Sequence, residues 1–525
     1  MAEHPVLIGG KWRPAKAAKT FQATNPATGE RLPDTYPFSG WEDCDAALTA
    51  AADAAAELRR TAPEAIARFL TRFADRIEAA KAELVEVAHL ETALPISPRL
   101  ADVELPRTTG QLRQAADAAL EGSWALPTID TKNQIRSWFE PIGPVVVFGP
   151  NNFPFAFSGV AGGDFAAAIA AGNPVIAKAH PLHPGTGRVL AEAAVAALGD
   201  SGLPPATVQM IYKIDHESGQ RLVSDRRVGA SAFTGSRAAG MALKNAADKA
   251  GKPIYLEMSS INPVVVLPGA LAERGSKVAA DFASSCLMGG GQFCTNAGFV
   301  MLFADARSDR FIDEVKGAFD AAQPPALLSE GVATGLAESV KTLRGAGADL
   351  LTAPGAGPSG ARHPNVLLRV TGQQFLAKPE KLQTEAFGSA SLCVVVRDVD
   401  EAEAVVSHLE GNLTGCIYSD TTGSDENLYA RLAPALRRRV GRLLNDKMPT
   451  GVAVSPAMNH GGPFPATGHP GFTAVGIPAS LRRFGMLCCY DNVREPRLPA
   501  ALRNASPNGR MWRLIDGKMT QDSCS

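Results

Sequence analysis

The chain has 525 residues, 45% of them hydrophobic and 20% charged, a globular composition long enough for two or three domains with ample buried area. With 52 basic residues against 53 acidic ones the formal charge is -1, so no net field draws it to nucleic acid or to an anionic membrane surface. The eight cysteines (44, 286, 294, 393, 416, 488, 489 and 524) show neither a C-x-x-C repeat nor neighbouring histidine pairs, which argues against a zinc site or a disulfide framework and fits reduced thiols in a cytoplasm.

The first residues, Met1-Ala2-Glu3-His4-Pro5, lack the basic-then-apolar layout of a signal peptide. Residues 6–37 alternate short apolar runs with turn signals at Gly9-Gly10 and Asn25-Pro26-Ala27-Thr28-Gly29, which predict hairpins. From about 42 to 120 the pattern becomes Ala- and Leu-rich amphipathic helix, broken at Pro63 and Pro95. Residues 142–177 are the longest apolar region, but Gly, Pro and Asn at 149–154 and 172–174 interrupt it. A membrane-spanning helix would tolerate that poorly.

From residue 144 onward, Val/Ile runs alternate with helical segments: Val145–Phe148, helix near 158–171, Val175–Lys178, helix near 186–198, Val208–Ile211, Val228–Phe233 and helix near 236–250. This alternation predicts a doubly wound parallel sheet, which binds dinucleotides at the C-terminal ends of its strands. A second series follows: Pro263–Leu267, helix 271–287, Gly298–Leu302, helices 308–321 and 329–345, Leu392–Val396, helix 400–409 and Leu413–Tyr418. It predicts a second α/β domain of similar size. Pro354–Gly360 reads as an exposed loop, and residues 121–137 and the tail after 485 belong to neither series, which suits them to subunit contacts.

The chemistry concentrates in Gly289-Gly290-Gly291-Gln292-Phe293-Cys294-Thr295-Asn296. A cysteine taken alone is usually a packed core residue, and Cys286, Cys393, Cys416, Cys488 and Cys489 read that way. Around Cys294 the glycines let the backbone approach a substrate and aim amides at an oxyanion, the setting of a nucleophilic thiol. Glu257, at a strand end in Tyr255-Leu256-Glu257-Met258-Ser259-Ser260-Ile261-Asn262-Pro263, pairs with that thiol as a water activator; alone it would be a solvated carboxylate. Asn152, in Gly149-Pro150-Asn151-Asn152-Phe153-Pro154, is either a turn residue or an amide donor to an oxyanion, with Asn151 a rival.

Phe233-Thr234-Gly235-Ser236-Arg237-Ala238-Ala239-Gly240 lies at a strand-to-helix junction suited to phosphate, although short of the full G-x-G-x-x-G fingerprint. Lys178 can reach a ribose or phosphate, Glu385 a ribose, and Phe387 can pack on a nicotinamide face. In isolation these are a surface lysine, a loop glutamate and a core phenylalanine.

Together, and in order from roughly residue 6 to 500, these segments resemble the aldehyde dehydrogenase superfamily: Asn-Phe-Pro at 152–154, Lys178, Phe-Thr-Gly-Ser with Gly240, Leu-Glu at 256–257, Gly-Gln-x-Cys at 291–294 and Glu-x-Phe-Gly at 385–388. The resemblance implies an α/β fold of two doubly wound domains with a small oligomerisation arm. The cofactor-binding, Rossmann-like domain would be 1–120 with 138–256, the catalytic domain 257–484, and the arm and tail 121–137 with 485–525. It also implies that Cys294 attacks an aldehyde, that Asn152 and the Cys294 amide hold the oxyanion, that hydride passes to a nicotinamide, and that Glu257 activates water on the thioester. No metal is required, and a homodimer or homotetramer is implied.

Within the superfamily the blocks at 107–112, 178–186, 257–263 and 460–467 look like those of the 2,5-dioxopentanoate (α-ketoglutarate semialdehyde) dehydrogenases. Departures are Gly149-Pro150-Asn151, Ser389 after Glu-x-Phe-Gly, and Gly-His-Pro-Gly-Phe at 468–472. Ala179-His180-Pro181 stands where many NAD-specific relatives carry a Glu, so Lys178, His180 and Arg237 are expected to admit NADP as well as NAD. Arg107 is the candidate anchor for an acidic aldehyde, with a helix-surface arginine as the plain alternative. Phe155, Phe157, Phe293 and Phe464 would form an apolar tunnel that suits medium-chain aldehydes equally well. A broad-specificity or fatty aldehyde dehydrogenase therefore stays open, and a catalytically silent binding homologue remains as a remote alternative.

Overall fold

The computed structural model describes residues 3–16, 19–353 and 360–524. Met1-Ala2 and most of the loop expected at Pro354–Gly360 lie outside them. Two seven-stranded sheets form its centre. In the first, the parallel strands run in the order Ile254–Glu257, Ala230–Thr234, Val145–Phe148, Val175–Lys178 and Val208–Ile211. The antiparallel hairpin Val6–Ile8 and Lys11–Arg13 completes one edge. Val145, Val146, Val147 and Phe148 are all buried, as expected of a central parallel strand covered on both faces.

The second sheet runs Asp349–Leu350, Val366–Thr371, Ala390–Val396, Phe299–Phe303, Val264–Val266, Asn412–Tyr418 and Val440–Asn445, parallel throughout except at its first strand. Its side chains alternate between two cores. Val264, Val266, Val300 and Leu302 pack on one face with Phe282 and Phe311, and Val265, Phe299 and Met301 on the other with Phe375 and Leu336. The period of two thus assigns each residue to a face.

Most expected elements lie within a few residues of their observed bounds. The helix expected near 158–171 is shorter, Gly163–Ala170, because the chain first turns through Ser158 and Gly162. Additional elements include helix His216–Ser224, strand Val366–Thr371, helix Glu426–Arg437 and strand Val440–Asn445. The last helix contains Pro434, and the polar Arg442 interrupts the last strand, so neither carries a clean apolar period.

Strands Thr128–Asp130, Ile135–Pro141, Gly485–Asp491, Arg513–Ile515 and Lys518–Thr520 build a separate five-stranded sheet. Strand Ile135–Pro141 pairs along its whole length with Gly485–Asp491, across the position where residue 138 was expected to begin another unit. Asn173 ties this sheet to the first one by accepting from Gly143 N (2.8 Å) and donating to Phe484 O (2.9 Å). Met486, Leu487, Trp512 and Met519 are exposed on it. Cys489 is also exposed there, and Cys488 half-buried, which corrects the expectation that both pack in the core. No helix among the described residues is long and apolar enough to cross a membrane.

The turn after Lys178 is anchored from a distance. Glu91, buried at the end of helix Lys81–Thr92, accepts from Gly185 N (2.7 Å), Thr186 N (2.9 Å) and Thr186 Oγ1 (2.8 Å), at the start of helix Pro184–Gly199. Replacing Glu91 by Ala strands three buried donors and is expected to cost about 2–4 kcal/mol. A fall in the urea unfolding midpoint checks this, with Glu91→Gln retaining part of the stability.

Candidate active site

Helix Pro268–Leu287 ends in the turn Met288–Gly291, where Gly289, Gly290 and Gly291 have φ of 57°, 68° and 68°. Gly291 is also a point of close approach: a Cβ there would stand 2.0 Å from the carbonyl oxygen of Gly388. Asn296 Nδ2 donates to that same oxygen (3.1 Å), so the cysteine loop lies directly against the Glu-x-Phe-Gly loop. Behind it, Asn262 Nδ2 donates to Cys294 O and Asn296 O, each at 2.9 Å. Asn262 is itself held, because Asn412 Oδ1 accepts from Ile261 N (2.9 Å) and Asn262 N (3.2 Å).

Glu257 ends strand Ile254–Glu257. Residues 466–468 run antiparallel beside it, with Met258 N donating to Ala466 O (2.8 Å) and Gly468 N to Leu256 O (3.1 Å). The same loop brings in a residue that the sequence motifs did not single out. His460 Nε2 lies 3.1 Å from Glu257 Oε1 and 3.4 Å from Cys294 Sγ. Its only sequence signal was its place in His460-Gly461-Gly462-Pro463, a block noted for resemblance rather than chemistry. Glu257 Oε2 is buried and has no hydrogen-bond partner among the described residues. Burial, and then the negative charge of Glu257, push the Cys294 thiol well above its ordinary range, while the charge of Arg107 acts the other way.

Asn152 is buried beside the cysteine loop and donates from Nδ2 to Gln292 O (3.0 Å), which leaves a second N–H on the same nitrogen. Its own loop is clamped by residues with no motif signal. Glu104 Oε1 accepts from Phe155 N (2.8 Å) and Ala156 N (3.0 Å), and Arg99 pairs with Glu104 while donating to Asn152 O (2.9 Å). The Arg99 guanidinium also lies over the rings of Phe153 (4.3 Å) and Phe293 (5.5 Å).

Arg107 is not a free surface arginine. It donates from Nη1 to Val452 O (3.0 Å) and lies over the Phe157 ring at 5.2 Å. Its Nε and Nη2 are buried with no partner among the described residues. The four phenylalanines expected to form one tunnel divide. Phe157 packs on Phe153 and reaches the His460 ring at 5.9 Å, and Phe293 joins Phe153 at 5.7 Å. Phe155 is fully buried in the core, whereas Phe464 is exposed beside Arg237. Neither belongs with the other two.

On the opposite side, a cavity of about 350 Å³ joins Gly235 and Ser236 to Asn152, Glu257, Cys294 and Phe387, within the size range of ligand sites. Ser236 caps helix Arg237–Lys249, its hydroxyl accepting from Ala239 N, so the start of that helix borders the cavity. Gly240 is needed for packing, since a Cβ there would meet Met258 Sδ at 3.0 Å. Lys178 is half-buried, its pKa lowered to about 8 by burial and then by Lys213. Two cationic expectations are corrected. His180 stacks on His183 at 5.2 Å and accepts from Leu182 N (3.2 Å), and burial pushes its pKa well below the usual histidine value, so it is neutral. Arg237 is already engaged with Glu410 at 2.9 Å. Glu385 lines the cavity with its pKa pushed up to about 7 by burial, although Ser259 and the Ser260 amide hydrogen-bond to it.

Residues 12–462 match the model of the aldehyde dehydrogenase family. The chain is 40% identical to alpha-ketoglutaric semialdehyde dehydrogenase 2 of Azospirillum brasilense and 37% identical to alpha-ketoglutaric semialdehyde dehydrogenase of Acinetobacter baylyi, in both cases over 98% of each chain. The solved structure of PnpE in complex with nicotinamide adenine dinucleotide superimposes with a TM-score of 0.79, at 20% identity, over 96% of this chain and 100% of that one, and that of PnpE from Pseudomonas sp. WBC-3 with a TM-score of 0.79, at 21% identity, over 95% of this chain and 100% of that one.

The close approach at Gly291 is directly testable. Gly291→Ala places a Cβ against the Gly388 carbonyl at a positive φ, and is expected to cost about 1–3 kcal/mol in unfolding free energy. An unfolding midpoint equal to that of the wild type would contradict the contact.

Proposed function

The chain belongs to the aldehyde dehydrogenase family, and we propose that it oxidises an acidic semialdehyde, 2,5-dioxopentanoate, to 2-oxoglutarate with NADP or NAD as hydride acceptor. The observation that carries the substrate reading is Arg107, a buried guanidinium with Nε and Nη2 unpartnered among the described residues, near enough to Cys294 for each to feel the other's charge. A guanidinium in that state suits a carboxylate. The two relatives named for alpha-ketoglutaric semialdehyde support the same substrate.

In this reading the Cys294 thiolate adds to the aldehyde carbon and Asn152 Nδ2 donates its second N–H to the resulting oxyanion. A nicotinamide cofactor held in this cavity would supply the hydride acceptor needed for the thiohemiacetal on Cys294 to become a thioester. Glu257 takes a proton from water at its unpartnered Oε2, and the hydroxide displaces Cys294 sulfur, releasing the carboxylic acid. The cavity running from Gly235 and Ser236 to Cys294 would hold the nicotinamide end of the cofactor, with Glu385 and Phe387 in its lining, and Lys178, at the end of its own strand outside that lining, would serve a ribose. Lys178 and Lys213 are cations on this side, and Ala179-His180-Pro181 places no carboxylate there to repel a 2′-phosphate. In this reading residues 1–120 with 138–256 were expected to form the cofactor domain, 257–484 the catalytic domain and 121–137 with 485–525 an arm; because strand Ile135–Pro141 pairs with Gly485–Asp491, the arm extends to residue 141 and the cofactor domain resumes after it. The exposed apolar residues of the arm sheet suit a cytoplasmic homodimer or homotetramer.

Initial rates of NAD(P)H formation with 2,5-dioxopentanoate, propanal and decanal test the reading. The keto acid is expected to be preferred and NADP to support turnover, both abolished in Cys294→Ala. Arg107→Leu is expected to raise KM for 2,5-dioxopentanoate about tenfold or more with little change for propanal. Preference for decanal would instead favour the broad or fatty aldehyde reading, for which Phe157 and Phe293 provide the apolar wall. Turnover with NAD alone would contradict the expectation for the cofactor.

A further inference from the structure

We propose that His460 is a catalytic residue of this site: its Nε2 takes the thiol proton of Cys294 and holds it against Glu257 Oε1. The inference rests on Cys294 being the nucleophile. It assigns to the imidazole the first proton transfer, a step for which the carboxylate has no need if it is kept for water.

The geometry supports a relay. One nitrogen, His460 Nε2, lies 3.4 Å from Cys294 Sγ and 3.1 Å from Glu257 Oε1, and the three ligand atoms are within 4.8 Å of one another. In a neutral imidazole with its proton on Nδ1, Nε2 carries a lone pair and can accept from the thiol. Once protonated, the same nitrogen becomes a donor, and Glu257 Oε1 is already within hydrogen-bond distance. The S–H bond breaks and an N–H bond forms, and the sulfur electron pair goes to the carbonyl carbon. The proton returns to sulfur when the thioester C–S bond breaks. No oxidant or further reactant enters these steps. Glu257 divides its two oxygens, Oε1 toward the imidazole and the unpartnered Oε2 toward water.

The ring is built into place. His460 N donates to Thr473 Oγ1 (3.0 Å), His460 O accepts from Ala474 N (2.9 Å), and Phe157 packs against the imidazole. The side chains of His460 and Glu257 are 1% and 2% exposed, so the base and the carboxylate behind it are both fixed in the protein interior. The charged groups that bear on the Cys294 sulfur are Glu257 and Glu385, which hold the proton on, and Arg107 and Arg442, which favour the thiolate. With opposing charges around a half-buried sulfur, an adjacent base favours ionisation near neutral pH.

The test is the rate of Cys294 alkylation by iodoacetamide against pH, read by peptide mass spectrometry in the presence of EDTA, for the wild type, His460→Gln and His460→Asn. Neither aldehyde nor cofactor is needed, so a wrong substrate leaves the test intact, and failure of Cys294 as nucleophile shows separately as turnover surviving Cys294→Ala. The variants are expected to alkylate about tenfold or more slowly at pH 7 and to recover wild-type rates at alkaline pH, where the thiol ionises unaided. Imidazole added to His460→Ala is expected to restore part of the rate at pH 7. A profile in either folded variant that overlays the wild type, or one lowered by the same factor at every pH and unmoved by imidazole, overturns the proposal.

Discussion

The double donation from Asn262 to the carbonyls of Cys294 and Asn296 is the interaction on which the site depends. It fixes the backbone on both sides of the nucleophile, and it is buried, where a stranded amide would cost more than a hydrogen bond normally contributes. Asn262 adopts φ +48°, in the left-handed region, and Asn412 holds its backbone there. The strand carrying Asn412 and the turn carrying Asn262 belong to the second sheet's neighbourhood, so the position of the thiol is set by that sheet. Asn152 and Glu257, by contrast, follow or end strands of the first sheet. The reactive geometry is therefore a property of how the two sheets meet.

On the second sheet's side the site is closed by backbone contacts too close for side chains. Gly291 against Gly388 is one. Gly461 and Gly441 are another, since a Cβ on Gly441 would stand 1.7 Å from Gly461 O, and the segment that follows carries residues 466–468 past Glu257. The loop at 468–472 is exposed at residues 469–471 and packs through two of its rings. His469 packs on Tyr255 at 5.1 Å and Phe472 is buried beneath the Arg483 guanidinium at 4.9 Å. Its departure from the resembling pattern thus has a packing role in this chain.

Much of this was legible in the sequence where a residue type is rare in its setting. Cys294 after three glycines, Glu257 at a strand end and the Ser236 helix start each carry a local signal, and the cavity brings them together. Legibility ended where partners are distant in sequence. Glu104 and Arg99, which clamp the Asn152 loop, lie about fifty residues before it in a segment without a clean helical period. His460 is separated from Glu257 by 203 positions. His180 and Arg237 were overvalued as cations for one physical reason: charge depends on burial and on partners, and neither is written in a motif. Phe155 and Phe464 show the same limit for apolar residues, since an identical side chain is wholly buried in one case and exposed in the other.

The central claim is that oxidation passes through an acyl group on Cys294 that Glu257 then helps to hydrolyse. The most direct measurement is intact and peptide mass spectrometry of Glu257→Gln after mixing with 2,5-dioxopentanoate and NADP. The account predicts that an acyl adduct accumulates on Cys294, with up to one equivalent of NADPH formed and little further turnover. Stoichiometric or greater NADPH formation with Cys294 unmodified at every time point would contradict it.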